Sequence, residues 1–329
     1  MYHRLFLKLV LFLSLFALYS CSPLGEPVNP ELSDSFFYDK SKTDIIYSSM
    51  GNWFELGSKS LGADSESFEV LNKNIGKDNQ NAYYQSLIIN HSKLDLNSFH
   101  AKTDDWMWHI GIDKNHIYTF QKDIENAEYV LKTSIIKGAD PSSYQQTDFD
   151  WAKDHKNHFY QDRMVNVDYE SFKVINDYFA KDDRQVYFYY QDRFDSLDAQ
   201  TNNFRKINRY YARDTEFIYL FLPYLRGESI KQVHKIPYEK FRDVKLFNDS
   251  YLLVDDRLYF EAQIVEGINV DNLKVFDQSY VKDDQQVFYQ GLIIEGADAK
   301  TFEYDKSSYL YRDKNNQYRQ GKIWVPDHN

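Results

Sequence analysis

Trp106 and Trp108 stand beside Asp104 and Asp105 in DDWMWHIG, residues 104–111, a combination able to hold a sugar. On an extended strand the two indoles fall on one side and His109 on the other, so the rings would stack on a pyranose while a carboxylate met its hydroxyls. Any half-buried core strand shows the same alternation, so core packing is the competing reading. His155 and His158 in HKNH have a spacing that suits zinc on a helix. They follow Asp154 in a turn, however, with no nearby Cys or Glu and no HExxH to complete a tetrahedral set. Acidic turns recur, but each brings only one or two carboxylates and none a DxDxDG pattern, short of the roughly six to eight oxygens that calcium takes. With 50 acids in the chain, chance pairs at glycosidase separations are numerous and single out none. GxSxG, a Walker loop and a GxGxxG after a strand are all missing from the sequence. The expectation is a protein without catalytic residues, metal or cofactor.

The only cysteine, Cys21, has a different chemistry. His3, Arg4 and Lys8 form a basic head, and LVLFLSLFAL forms a ten-residue apolar run before LYSC. A membrane-crossing helix needs about 20 such residues. Residues 1–20 therefore read as a signal peptide, and the context of Cys21 resembles the lipobox of bacterial lipoproteins, with Tyr19 where a small residue is usual. That resemblance implies cleavage before Cys21 and lipid on its thiol. One cysteine closes no intrachain disulfide.

Loss of Arg4 and Lys8 with the leader leaves 37 basic residues against 50 acidic ones, a net charge of −13. Phosphate backbones require clustered Lys and Arg, so nucleic acid is excluded as a partner. An anionic bilayer would not attract the chain either, which leaves the lipid as its hold on a membrane.

The elements that position these groups are strands. The 28 Tyr and 24 Phe far outnumber the 12 Gly, and helical apolar periods are few. An Asp followed five residues later by an aromatic recurs at Asp78/Tyr83, Asp113/Tyr118, Asp154/Phe159, Asp182/Tyr187, Asp214/Tyr219, Asp283/Phe288 and Asp313/Tyr318. Near Tyr259 the acid has slipped to Asp255. A second pattern, Asp with an aromatic four residues on, recurs in DSESF, DLNSF, DPSSY, DYESF and DAKTF. Such a period denotes stacked units that shield one another's apolar faces.

Each unit reads as a hairpin turned by its acid, then a short apolar strand such as Ile293-Ile294. A bend at Gly296 or Gly138 and one helical turn capped by Asp298 or Asp140 follow. Tyrosine rings would lie between neighbouring hairpins, with their hydroxyls at the wet rim. The expected fold is mainly β, with tandem hairpin repeats of about thirty residues and one short helical turn per unit. An open curved array is favoured over propeller-like closure because the spacing of the aromatics is irregular.

YVKDDQQVFYQG with IIEGADAKTF, and the segments DKNNQY and DKNHIY, resemble the DKNYY repeat family of bacterial, often lipid-anchored, exported proteins. The resemblance runs over most of residues 36–324 and implies a repeat fold; it carries over no activity and no catalytic residue.

Residues 21–35, with three prolines, read as a tether from lipid to fold, and residues 36–329 as a repeat domain of eight to nine units. Two stretches exceed the repeat, residues 121–132 and 220–233. Insertions in repeat arrays gather on one face, which makes Tyr129, Tyr224 and Arg226 candidate partner contacts beside Trp106 and Trp108. The functional expectation is a non-enzymatic binding or spacing module, lipid-anchored at the cell envelope and in the outer membrane where one exists, with an envelope protein or glycan as partner. A glycan-binding or glycan-hydrolysing surface protein and a purely structural repeat protein are the alternatives.

Overall fold

The computed structural model describes residues 22–103, 109–223 and 232–325. Among the described residues nine antiparallel sheets follow one another from Phe36 to Ile323, the first with three strands and the rest with four. They belong to two compact units that divide between Val167 and Asp168, with sheets 1–4 in the first and sheets 5–9 in the second.

Sheet 8 shows the plan. Its strands are Lys274–Val275, Tyr280–Lys282, Val287–Tyr289 and Leu292–Ile293, paired in chain order. The two central strands make the expected hairpin, with Val281 opposite Phe288, and the expected apolar strand follows. The sequence did not disclose the first strand of each sheet, only two residues long in most of them, because two residues carry no alternation. Gly138 and Gly296 lie at positive φ, 81° and 78°, at the bends assigned to them. The helical turn is a 3₁₀ turn at Thr201–Asn203, Phe241–Asp243 and Val270–Asn272.

The side chain that closes this turn packs on the second strand, and the two adjust in size. A Cβ at Gly76 would lie 2.5 Å from the Phe68 ring, and one at Gly111 equally close to Phe99. Tyr144 meets Ala152, and Phe204 meets Ala212. Where the closing residue shrinks to Val244 or Leu273, the strand position grows to Leu252 or Val281. Sheet 9 uses a third solution, with Phe302 and Tyr311 stacked at 7°. Outside sheet 9, bulk lost by one member of the pair is thus made up by the other, as dense cores require.

Every core among the described residues joins sheets adjacent in the chain. In the first unit one core unites Phe36 with Tyr83, the next Tyr84 with Phe120, and the third Ile112 with Phe159. In the second unit the series runs from Phe188 with Phe221, through Tyr211 with Tyr259 and Phe260 with Phe288, to Tyr280 with Tyr318. None of these joins the first sheet of a unit to its last, so each unit is an open stack and not a closed ring.

Residues 21–35 require a correction from Gly25 onward. Gly25 donates to the Tyr38 carbonyl at 2.8 Å, Val28 to that of Phe36 at 3.0 Å, and Pro27 bridges Phe37. Val28 and Leu32 pack on the first core. This stretch is docked on sheet 1 and is not a free linker; its prolines suit an edge because they lack an N–H to leave unpaired.

The excess at residues 121–132 is likewise not a loop. It lengthens the hairpin of sheet 3 into two long strands, Ile117–Glu125 and Glu128–Ile135. They are joined by Asn126 and Ala127 at φ 52° and 66°, the two left-handed residues of a type I′ turn.

Candidate functional site

The recurrent aspartates are buried and heavily bonded. Asp182 is 1% exposed; its Oδ1 accepts the amides of Arg184 and Gln185 at 2.8 and 2.7 Å. Its Oδ2 accepts the Tyr187 hydroxyl at 2.7 Å and the amide of the cap residue Asp168 at 2.8 Å. The hydroxyl bond recurs from Tyr83, Tyr118, Tyr219 and Tyr318 to Asp78, Asp113, Asp214 and Asp313 at 2.6–2.9 Å. Burial alone would raise the Asp182 carboxyl, but these donors outweigh it and hold the group below the usual aspartate range. The tyrosine hydroxyls at these positions therefore point inward to the carboxylate, not to a wet rim. With its lone pairs occupied by N–H and O–H donors, the turn aspartate is a structural hub.

A polar site of another kind lies in the first unit. A cleft of about 590 Å³ is walled by Tyr84 from sheet 2, Phe120 from sheet 3, and Tyr144 and Trp151 from sheet 4. The Tyr84 and Phe120 rings sit 5.1 Å apart, and burial pushes the Tyr84 phenol up to about 12. Phe149 lines the cleft and is 69% exposed. Two side-chain polar atoms of the wall, the Tyr144 hydroxyl and Gln146 Oε1, are buried without a hydrogen-bond partner. The Gln146 amide nitrogen is tied to the Phe149 carbonyl at 3.2 Å, which fixes the orphaned oxygen in place. Buried groups of this kind cost about 1–3 kcal/mol unless something satisfies them.

Two carboxylates complete the lining. Asp150 Oδ1 accepts the Gln161 side-chain amide at 3.2 Å. Asp162 follows Gln161 in a tight turn where both residues are left-handed, φ 45° and 63°. Burial raises the Asp162 carboxyl above its ordinary value. It lines the same cleft as Tyr144, whose phenol is raised first by burial and then by the Asp162 charge. Burial also lowers His109, which lines the same cleft. Aromatic faces beside fixed acceptors can stack on a ring and bind its hydroxyls.

The sequence signalled this site weakly. YQDR at 160–163 places an acid where YQGL at 289–292 has Gly291, but the same YQDR recurs at 190–193 away from the cleft, so the motif alone did not single out this site.

Of the residues singled out by sequence, Cys21, Trp106, Trp108, Tyr224 and Arg226 lie outside the described residues. Tyr129 stands on the lengthened hairpin, 62% exposed and opposite Ile124, with Lys122 Nζ 4.5 Å from its ring centre. The second excess begins inside the core, since Phe221 and Leu222 are buried and His234–Pro237 returns to pair with Phe217–Leu220. His155 is held by Ser143 and Asp140 at 2.9 Å, while His158 leaves the turn and enters a strand.

No match was found among curated proteins or among solved structures. A profile of the DKNYY family matches residues 92–221 and 179–322, overlapping stretches in keeping with the repeats seen in the fold. By that match, which covers most of the chain, the protein belongs to the DKNYY family.

Proposed function

We propose that this protein is a non-enzymatic binding module, exported and anchored by lipid on Cys21 at the cell envelope, and that the cleft of its first unit receives a saccharide. The observation that carries the reading is the pair of buried, unpartnered acceptors, the Tyr144 hydroxyl and Gln146 Oε1, set among aromatic rings in one cleft. A sugar ring satisfies such a wall with its hydroxyls and its apolar face, whereas an aliphatic chain would leave both polar groups unbonded. The anchor rests on the basic head, the short apolar run and the single cysteine, and would hold an acidic protein close to a surface that its charge alone would avoid.

A saccharide array probed with the mature protein, followed by calorimetry on the best oligosaccharide, tests the ligand. Phe149→Ala and Gln146→Leu each alter the cleft wall while sparing the buried cores. Each is expected to weaken binding about tenfold, the loss of a stacking face or of one hydrogen bond with its desolvation, without lowering the melting temperature. Retention of no saccharide would discard the reading in favour of a spacer or structural role. The mass of the mature N-terminus isolated from bacterial cells tests the lipid: an unmodified Cys21 would overturn the anchorage.

A further inference from the structure

We infer, resting on the saccharide reading, that the sugar taken by the cleft carries a protonated amine, which lies against the carboxylates of Asp162 and Asp150. Asp162 occupies the second position of its turn, where sheets 8 and 9 have Gly291 and Gly321 at φ 78° and 74° and sheet 7 has Ala262 at 74°; sheet 5 also has an acid there, Asp192, but not in the left-handed conformation of Asp162. Glycine is the unstrained choice there, so the turn itself does not call for an acid. Among the described residues nothing donates a hydrogen bond to the Asp162 carboxylate, and no lysine or arginine lines the cleft. Asp150 offers its second oxygen on the same wall, since only Oδ1 is engaged by Gln161.

A half-buried carboxylate without a counter-charge is costly, and a cation brought by the ligand relieves that cost. Tyr144, 1% exposed and with its hydroxyl unpartnered, lines the same cleft as Asp162 and supplies an acceptor for a second N–H of the ammonium. The walls of Tyr84, Phe120 and Trp151 add ring faces of the kind that attract cations. An N-acetylated sugar presents an amide with no charge, and a uronic acid meets repulsion. The long-range field agrees, because a mature chain of net −13 draws cationic ligands and slows anionic ones.

Calorimetric titration of the mature protein with glucosamine oligomers, under conditions that protonate the amine, and with N-acetylglucosamine oligomers of equal length tests this. The amine form should bind on the order of tenfold more tightly, the yield of one charge-assisted hydrogen bond. Asp162→Asn should abolish that preference and leave the acetylated oligomer unchanged. The variant keeps the shape of the side chain, and Asn tolerates the left-handed turn, so a retained melting temperature is expected. Asp150→Asn should reduce the preference in part. Equal or tighter binding of the acetylated oligomer, or a preference that survives in Asp162→Asn, overturns the amine and leaves the saccharide reading standing. Binding of neither oligomer or any other sugar overturns both.

Discussion

The Tyr187 hydroxyl donates to Asp182 Oδ2 across 2.7 Å, closing a ring in which a residue of the third strand fastens the turn that precedes it. The same oxygen holds the amide of Asp168, the residue that caps the helical turn of its own repeat. One carboxylate thereby links turn, strand and cap. The repeat tolerates wide variation elsewhere because these three elements are pinned at a single point.

Removing the donor and removing the acceptor should differ in cost. Tyr187→Phe leaves Asp182 with three backbone donors, and the chain itself uses phenylalanine at the equivalent Phe159 and Phe288, so a loss of about 1 kcal/mol is expected. Asp182→Ala orphans three amides and a buried hydroxyl together and should cost about 2–4 kcal/mol. Urea midpoints of the two variants measure the difference. Equal losses would mean that the hydroxyl, and not the carboxylate, holds the turn.

The same hubs set the response to pH. The carboxyls of Asp78, Asp113, Asp182, Asp214 and Asp313 all lie below the ordinary range in the fold, and those of Asp39, Asp298 and Asp305 fall to about 2. With folded values depressed, the unfolded chain binds more protons in acid. Their contribution is present above the unfolded value of about 3.9 and is lost as pH falls through the folded values. The phenols of Tyr83, Tyr118, Tyr187 and Tyr219 are raised by burial and by their aspartates, which reverses the sign: that contribution is present below about pH 10 and lost above it. Apart from the decline that Glu261 brings as pH climbs through about 7, urea midpoints should be level between these limits and decline on both sides. A level profile through acid would contradict the depressed carboxyls.

The sequence disclosed the repeat because its signals are local. Asp283 and Phe288, or Asp298 and Phe302, lie within one turn of each other, and spacing alone shows that they recur. It did not disclose where each hydroxyl goes, since the five-residue spacing of Asp182 and Tyr187 suits an inward bond as well as an outward ring. It missed a second recurring contact for the same reason. Asn176 Oδ1 accepts the amides of Tyr178 and Phe179 at 3.1 and 3.0 Å, while its Nδ2 reaches the Asn208 carbonyl of the next repeat at 3.0 Å. The first of these bonds is legible as a turn; the second depends on stacking. The cleft in the first unit was least legible of all, because Tyr84, Phe120 and Asp162 come from three sheets and meet only when those sheets stack.

Stacking also fixes the glycines of the tight turns. A Cβ at Gly321 would stand 2.5 Å from the Tyr289 ring, and one at Gly291 3.1 Å from Phe260 Cβ, whereas at Gly296 nothing lies within 4 Å. All three have positive φ, so alanine costs about 1–2 kcal/mol at each for the backbone alone. Displacing a packed ring adds roughly 1–3 kcal/mol at Gly321. Melting temperatures should therefore fall most for Gly321→Ala, less for Gly291→Ala and least for Gly296→Ala. The reverse order would show that neighbouring sheets do not pack through these turns.

Glu261 offers a test of burial one residue earlier in the equivalent turn. It stands at φ 50°, where the other turns have Gln161, Gln191, Gln290 and Gln320, all left-handed. Burial raises its carboxyl to about 7, and no opposing cause offsets that rise. A folded value above the unfolded one means that protonation favours the fold. The contribution is complete below the unfolded value of about 4.3 and is lost as pH climbs through the folded value. Glu261→Gln removes the ionisation and substitutes the residue that the repeat uses elsewhere in this conformation. The variant should match the parent in stability near pH 4 and exceed it at pH 8, with the gap opening between those points. Urea melts of both proteins at the two pH values measure it; a parent that is the more stable at pH 8 would show that the Glu261 carboxylate is paired in the folded chain and not stranded.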